Sequence, residues 1–227
     1  MIAFQNVHKS YSGNIVALEE INLKILPGEF VSLVGKSGAG KSTLLKLLIG
    51  EEKPTKGRVI FGSHEVNKLA PKHLPSLRRQ MGVIFQDFRL LSKKSAYENV
   101  AFALEVGGWP RENIEELVPQ VLDMVGLKEK QGRFPHELSG GEKQRVAIAR
   151  AMVHQPSVLI ADEPTGNLDK INTEEIIHLL TKINKLGTTV ILATHNDYIV
   201  NSLSRRVVTM LDGRIIRDEE KGKYAIN

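Results

Sequence analysis

The sequence contains no cysteine. Disulfides, cysteine-based zinc sites and thiol nucleophiles are therefore excluded, and the composition suits a reducing compartment. Nor is there an apolar run near the roughly 18–20 residues needed to span a bilayer. The opening stretch, Met1 to Lys9, lacks the long apolar core of a signal peptide. The expected location is therefore cytoplasmic, with any membrane role exerted through a partner. Internal repeats and low-complexity segments are also missing. Charge bias is slight: 31 basic against 26 acidic residues leave a net +5. So small an excess fits a solvated surface, and anionic lipid beside a membrane partner equally well; no nucleic-acid partner is expected. What remains is ordinary for a globular protein: 227 residues, 41% hydrophobic and 25% charged, enough to bury a core without covalent staples.

Against that plain background one stretch stands out. Gly35-Lys36-Ser37-Gly38-Ala39-Gly40-Lys41-Ser42-Thr43 matches the G-x-x-x-x-G-K-[ST] phosphate-binding loop at every fixed position. The apolar run Phe30 to Val34 precedes it as a buried strand, and Thr43 to Ile49 follows as a helix ending at Gly50. Glycines let successive N–H groups turn toward phosphate oxygens, and the helix N-terminus adds partial positive charge. Lys41 is placed to reach the β- and γ-phosphates, and the Ser42 hydroxyl to ligate Mg²⁺.

Along the chain, Ile2 to Val7 alternates like an edge strand, with Tyr11 in a polar turn after it. Ile15–Leu18 and Ile21–Ile25 give more strand, and Gly57–Phe61 and Gly82–Phe85 read as two further strands. Pro71 to Gln80 is a basic helix candidate. The pattern then changes. Between Ser95 and Val153 the signals are helical: a capping box at Ser95 and Glu98, a helix opened by Pro110 and followed by Gly126, and an amphipathic helix from Gly140 to Val153. Pro119 predicts a kink or two short helices. Strand character returns at Ser157–Asp162 and Thr188–Ala193, with a helix over Thr173–Leu186 between them. Val207–Leu211 and Arg214–Arg217 form a predicted hairpin about Asp212-Gly213. The polar last residues are expected to fray. The fold expected is α/β, a P-loop NTPase core over 1–86 and 157–227, with an inserted all-helical subdomain over 87–156.

The chemically suggestive residues fall at strand ends or helix starts, where open α/β sheets bind ligands. Asp162 and Glu163 close an apolar strand; Asp162 is placed to hold Mg²⁺ and Glu163 to act as base or orienter for an attacking water. Adjacent strand residues point opposite ways, so the two need not share a role. Gln86, at another strand end, is placed to touch Mg²⁺ or the water, or is simply a loop glutamine. His195 is placed to hold a γ-phosphate, or is structural. Tyr11 offers a ring face to adenine, or packs. In Leu138-Ser139-Gly140-Gly141-Glu142 the serine is a good N-cap, and the two glycines expose backbone at a helix start. Plain capping needs only the serine. This second anion cradle suggests one nucleotide gripped by two chains facing head to tail.

Together these residues resemble the ATP-binding subunits of ABC transporters over nearly the whole chain. The resemblance supplies roles: Gln86 as the Q-loop glutamine, Leu138 to Glu142 as the signature, Asn167-Leu168-Asp169 as the D-loop, His195 as the switch histidine and Tyr11 as the adenine-stacking ring. It implies an Mg²⁺-dependent ATPase in which Lys41, Gln86, Glu163 and His195 serve catalysis. It also implies an ATP-dependent head-to-tail homodimer, held at each site by Ser139-Gly140-Gly141 of the opposite chain. Phe85 to Leu91 and Tyr97 to Phe102 look like the cell-division branch of that family. In that branch the ATPase lies on the inner face of the membrane and drives a membrane partner that activates cell-wall hydrolases, the partner docking near Gln86–Leu91; the alternative for Phe88, Leu90 and Leu91 is packing within the helical domain. Lipoprotein-release and small-molecule export ATPases are the alternative. A chromosome-type ABC ATPase would need a long coiled coil that is missing here. A small-molecule kinase leaves Leu138–Glu142 unexplained, and a non-hydrolysing nucleotide switch leaves Glu163 and His195 without a task.

Overall fold

In the computed structural model, which describes residues 1–13 and 15–224, a six-stranded sheet carries the phosphate loop. The last three residues, part of the tail expected to fray, lie outside the described residues. The elements in chain order are β1 (Ile2–Tyr11), β2 (Ile15–Ile25), β3 (Phe30–Val34), α1 (Lys41–Leu48), β4 (Lys56–Phe61), β5 (His64–Glu65), α2 (Leu74–Arg78), β6 (Met81–Phe85), α3 (Ala96–Val106), α4 (Arg111–Met124), α5 (Gly140–Met152), β7 (Val158–Asp162), α6 (Lys170–Lys185), β8 (Thr189–Thr194), α7 (Asp197–Leu203), β9 (Arg206–Leu211) and β10 (Arg214–Glu219).

The larger sheet runs β10-β9-β3-β8-β7-β6, parallel except for β10. Every residue of β3 and β8 is buried, as expected where helices or a second sheet cover both faces. Its register sets Phe85 beside Asp162, Asp162 beside Ala193, and Val34 beside Thr194. Four strands thus end side by side, and the loops leaving them carry Gly35, Gln86, Glu163 and His195.

A second, antiparallel sheet, β2-β1-β4-β5, encloses α1 against the first. Its core joins Leu18, Ile21 and Val59 to Leu44, Leu48, Val208 and Met210. Two expectations are corrected here. β1 is not an edge strand: β2 and β4 flank it, and it runs on to Tyr11. An irregularity between Phe4 and Val7, with Asn6 at φ 48, disguises its alternation. The stretches Ile15–Leu18 and Ile21–Ile25 run together as the single strand β2; Glu20 at φ 52 absorbs the break in pattern as a bulge. The helix expected over Pro71–Gln80 is a 3₁₀ turn, Pro71–His73, followed by the five residues of α2. Pro75 lacks an N–H and cannot extend the turn before it as a helix.

The helical segment follows the expected pattern. Ser95 and Glu98 form a reciprocal capping box at α3. α4 continues through Pro119 as one helix rather than two, because Ile114, Val118 and Leu122 anchor one face along its length. Val100, Leu104, Val146 and Ile148 share a core with Ile84, Leu159 and Leu192 on the back of the parallel sheet. α5 lies so close beneath β6 that a Cβ on Gly82 would meet the Ala151 carbonyl at 2.5 Å. The short α7, capped by Asn196, is an element that the sequence pattern did not signal. The hairpin is present, with Asp212 at φ 45 and Gly213 at φ 76, as a two-residue left-handed turn requires. No helix among the described residues is long and apolar enough to cross a membrane.

Candidate active site

A cleft of about 350 Å³ opens where the four strands end, lined by Ala17, Ser37–Thr43, Gln86, Asp162, Glu163 and His195. Glycine is required at Gly35, where a Cβ would stand 2.5 Å from the Met210 carbonyl oxygen, and at Gly40, at φ 100. Gly40 precedes α1 and offers no side-chain cap, so the first N–H groups of the helix stay available to an anion. Lys41 is only 7% exposed. Its ammonium donates to the carbonyls of Gly35 (2.6 Å) and Lys36 (3.2 Å). Burial pushes its pKa down, and the charges of Glu163 and Asp162 oppose that. A larger cavity of about 760 Å³ lies among residues such as Leu26, Met124 and Leu186, with no acidic, basic or histidine side chain in its lining. It offers nothing for acid–base work.

Asp162 ends β7 and lines the cleft together with Ser42. Its Oδ1 is buried without a partner. Burial pushes its carboxyl pKa up, with the Ser42 hydroxyl opposing. A raised folded-state pKa means that the ionised form costs stability: nothing below the unfolded pKa, and the full amount above the folded one. Asp162→Asn is therefore expected to raise the melting temperature of the nucleotide-free, metal-free protein at pH 7 by about 2–4 °C, the shift that ~1 kcal/mol produces at this size. The gain should shrink as the pH approaches 4. A melting temperature below wild type at pH 7 would contradict this reading of the carboxylate.

Glu163 leaves the strand at φ 49, a left-handed turn fixed by its N–H donating to the Ala193 carbonyl at 2.9 Å. That turn brings its carboxylate into the same cleft as Asp162, whereas strand alternation predicted opposite directions. One oxygen lies 2.8 Å from His195 Nδ1 and 4.0 Å from the Lys41 ammonium. The other accepts from the Thr194 hydroxyl at 3.3 Å. Gln86 donates to Asn167 Oδ1 at 3.4 Å, and Asn167 donates back to the Gln86 carbonyl at 3.2 Å.

Two groups of predicted residues stand outside this cleft. Tyr11 is not in its lining; the Lys9 ammonium lies over its ring, 4.7 Å from the centroid. Ser139, Gly140 and Gly141 also lie elsewhere. Ser139 accepts from the Glu142 N–H and Glu142 from the Ser139 N–H, a complete capping box. Glu142 also pairs with Lys130, and with these bonds its pKa lies at about 2. Gly141 has a packing reason that sequence reading missed: a Cβ there would come within 1.8 Å of Asn172 Oδ1 at the start of α6. At Gly140 the nearest atom would be Leu168 Cδ2 at 3.3 Å. Gly141→Ala is thus expected to destabilise by about 1–3 kcal/mol, and Gly140→Ala by clearly less; equal denaturation midpoints for the two would refute this. Thr194 and Gln144 were missed as well. Gln144 is fully buried and donates to the Pro164 carbonyl at 2.6 Å, tying α5 to the turn that carries Glu163. A polar residue on the apolar face of the predicted helix was its only signal.

A glycine loop closing on a buried lysine, with an acid pair and a histidine on adjoining strand ends, defines a P-loop nucleotide triphosphatase. The chain belongs to the ABC transporter family, which it matches over residues 18–166, and it is an ATPase of that family. It is 53% identical to the cell division ATP-binding protein FtsE of Mycobacterium tuberculosis, over 100% of this chain and 99% of that protein. Identity to FtsE of Streptococcus pneumoniae is 52%, over 99% and 97% of the two chains. Among solved structures, the dimeric ATP-binding cassette MJ0796 in a post-hydrolysis state with ADP and Pi superposes at TM-score 0.87. It is 36% identical and covers 99% of this chain and 100% of that one.

Proposed function

We propose that this chain is the ATPase of a cell-division complex, coupling ATP-driven closure of a head-to-tail homodimer to conformational change in an FtsX-like membrane protein that regulates cell-wall hydrolysis. The observation that carries the division role is near-full-length identity above one half to FtsE proteins of distant bacteria. On this reading the protein is peripheral on the inner face of the cell membrane and meets its partner at Gln86–Leu91. Residues 87–156 act as the signature subdomain and 1–86 with 157–227 as the nucleotide core. The dimer is supported by the position of Ser139-Gly140-Gly141 outside the cleft lining, which suits them to a nucleotide on the opposite chain, and by the dimeric MJ0796 cassette.

Within the cleft, Lys36 to Thr43 wrap the phosphates with backbone N–H groups. Lys41 exchanges its two loop carbonyls for β- and γ-phosphate oxygens. Glu163, held by His195 and Thr194, orients the attacking water and takes its proton. His195 lies beside the γ-phosphate and Gln86 beside the water; Tyr11 turns its ring to adenine once Lys9 moves aside. The residues also fit Mg²⁺: Asp162 keeps a buried oxygen unpartnered, and Ser42 and Gln86 line the same cleft. No cluster of three His, Asp or Glu side chains suited to a metal occurs among the described residues, so phosphate oxygens would complete the shell. Bound there, Mg²⁺ would neutralise charge developing on the β- and γ-phosphates.

A photo-crosslinker at Leu90, in cells of the source species, tests the partner. The expected product is a four-span membrane protein with a large extracellular domain, and depletion of this chain should give filamentous cells. Crosslinking to an exporter, with lipoproteins retained and division normal, would replace this reading with the export one.

A further inference from the structure

Arg150 lies near the far end of α5, about 15 Å from Gly140 by the helical rise. Its Nη1 donates to the Arg89 carbonyl at 2.6 Å and its Nη2 to the Phe88 carbonyl at 2.9 Å. It has no carboxylate partner among the described residues, and burial alone displaces its pKa, downward. A half-buried guanidinium without a counter-ion is costly unless its fork is well used.

What it grips is unusual backbone. Phe88 and Arg89 stand at φ 57 and φ 48, two successive side-chain-bearing residues in the left-handed region. They come directly after Asp87, two residues past Gln86. The far end of this segment is also fixed: Asn99, fully buried, accepts from the Leu91 N–H and donates to the carbonyls of Leu91, Lys94 and Ser95. The strained turn therefore has an anchor on each side, and the upstream one is carried by α5. That helix also starts at Ser139 and holds Pro164, next to Glu163, through Gln144. One rigid helix thus touches the signature, the acid turn and the segment behind Gln86.

We propose that Arg150 is a positioning residue for ATP hydrolysis: by gripping the carbonyls of Phe88 and Arg89 it holds the left-handed turn behind Gln86, so that the place of Gln86 in the cleft follows α5. This goes beyond the proposed cell-division role and does not depend on which membrane protein meets the segment.

The test uses the full chain with MgATP. Arg150→Met should lower kcat about tenfold with KM changed less than twofold, because the phosphate loop is untouched. Amide exchange over 86–91 should quicken by about tenfold while α1 keeps its rate. Arg150→Lys, a point charge without the fork, should fall between. Glycine holds positive φ unaided, so on an Arg89→Gly background the Arg150→Met change should cost less than about threefold in kcat. Equal cost on both backgrounds, or a loss of kcat with 86–91 exchanging at the wild-type rate, would overturn the proposal. Should Arg150→Met not fold, Arg150→Lys decides alone: wild-type kcat and exchange in that variant would overturn it too.

Discussion

Replacing Glu163 with glutamine is expected to leave ATP binding intact and to cut turnover a few hundredfold. The carboxylate stands 2.8 Å from His195 Nδ1 and 4.0 Å from the Lys41 ammonium, inside the cleft that the phosphate loop lines. Glutamine keeps its size and an acceptor oxygen for Thr194 or His195, but it cannot take a proton from water. Loss of one well-placed group of this kind costs about 3–4 kcal/mol in the transition state. On the proposed assignment the loop N–H groups and Lys41 supply the ground-state contacts to the triphosphate, so affinity should stay near wild type. Steady-state ATPase assays beside equilibrium nucleotide binding read both quantities. Wild-type turnover in Glu163→Gln would remove Glu163 from the chemistry. If hydrolysis is what opens the dimer, this variant should also elute as a dimer when ATP is present.

Lys41→Ala has the complementary signature. The ammonium is buried and its pKa pushed down, so its place in the cleft carries a cost that its bonds to Gly35 and Lys36 offset. Its removal should change the stability of the empty protein little. ATP should suffer much more. A charge-assisted hydrogen bond is worth about 1.5–3 kcal/mol, or about 10–100-fold in affinity, and Asp162 and Glu163 would then face the phosphates without their nearest cation. At a concentration giving the wild type about 2.7 kcal/mol of stabilisation by ATP, a hundredfold weaker variant keeps only about 0.4 kcal/mol. Thermal denaturation with and without ATP measures this directly. A full ATP-induced shift in Lys41→Ala would show that the lysine is not a phosphate ligand. Together the two variants separate grip from chemistry: Glu163→Gln keeps the shift and loses turnover, and Lys41→Ala loses both.

Much of the parallel sheet was legible because its strands are buried on both faces and read as unbroken apolar runs, as in Val158–Ala161. The phosphate loop was legible because glycine spacing and the flanking strand and helix are local. The antiparallel sheet was harder. In β1 and β2 the residues at Asn6 and Glu20 take left-handed backbone without glycine, and each shifts the two-residue alternation that marks a strand. α7 was too short to show a period. At the acids, alternation predicted opposite directions for Asp162 and Glu163; the turn at Glu163 brings both into one cleft.

The amino-acid order by itself determined the chemical inventory: a loop of N–H groups, a lysine, a hydroxyl, an acid pair, a histidine and a glutamine. It also set each at a strand end or a helix start, because glycine spacing and strand burial act over a few residues. Tertiary structure decided which of them meet. Parallel pairing of β3, β8, β7 and β6 joins positions more than a hundred residues apart, so Lys41, Gln86, Glu163 and His195 share one cleft while the signature faces elsewhere. It also supplied a reason for Gly141, whose missing side chain admits Asn172, and a partner for Arg150 in the carbonyls of a strained turn. Contacts of that kind depend on side chains from separate elements fitting together in space, and no local pattern carries that information.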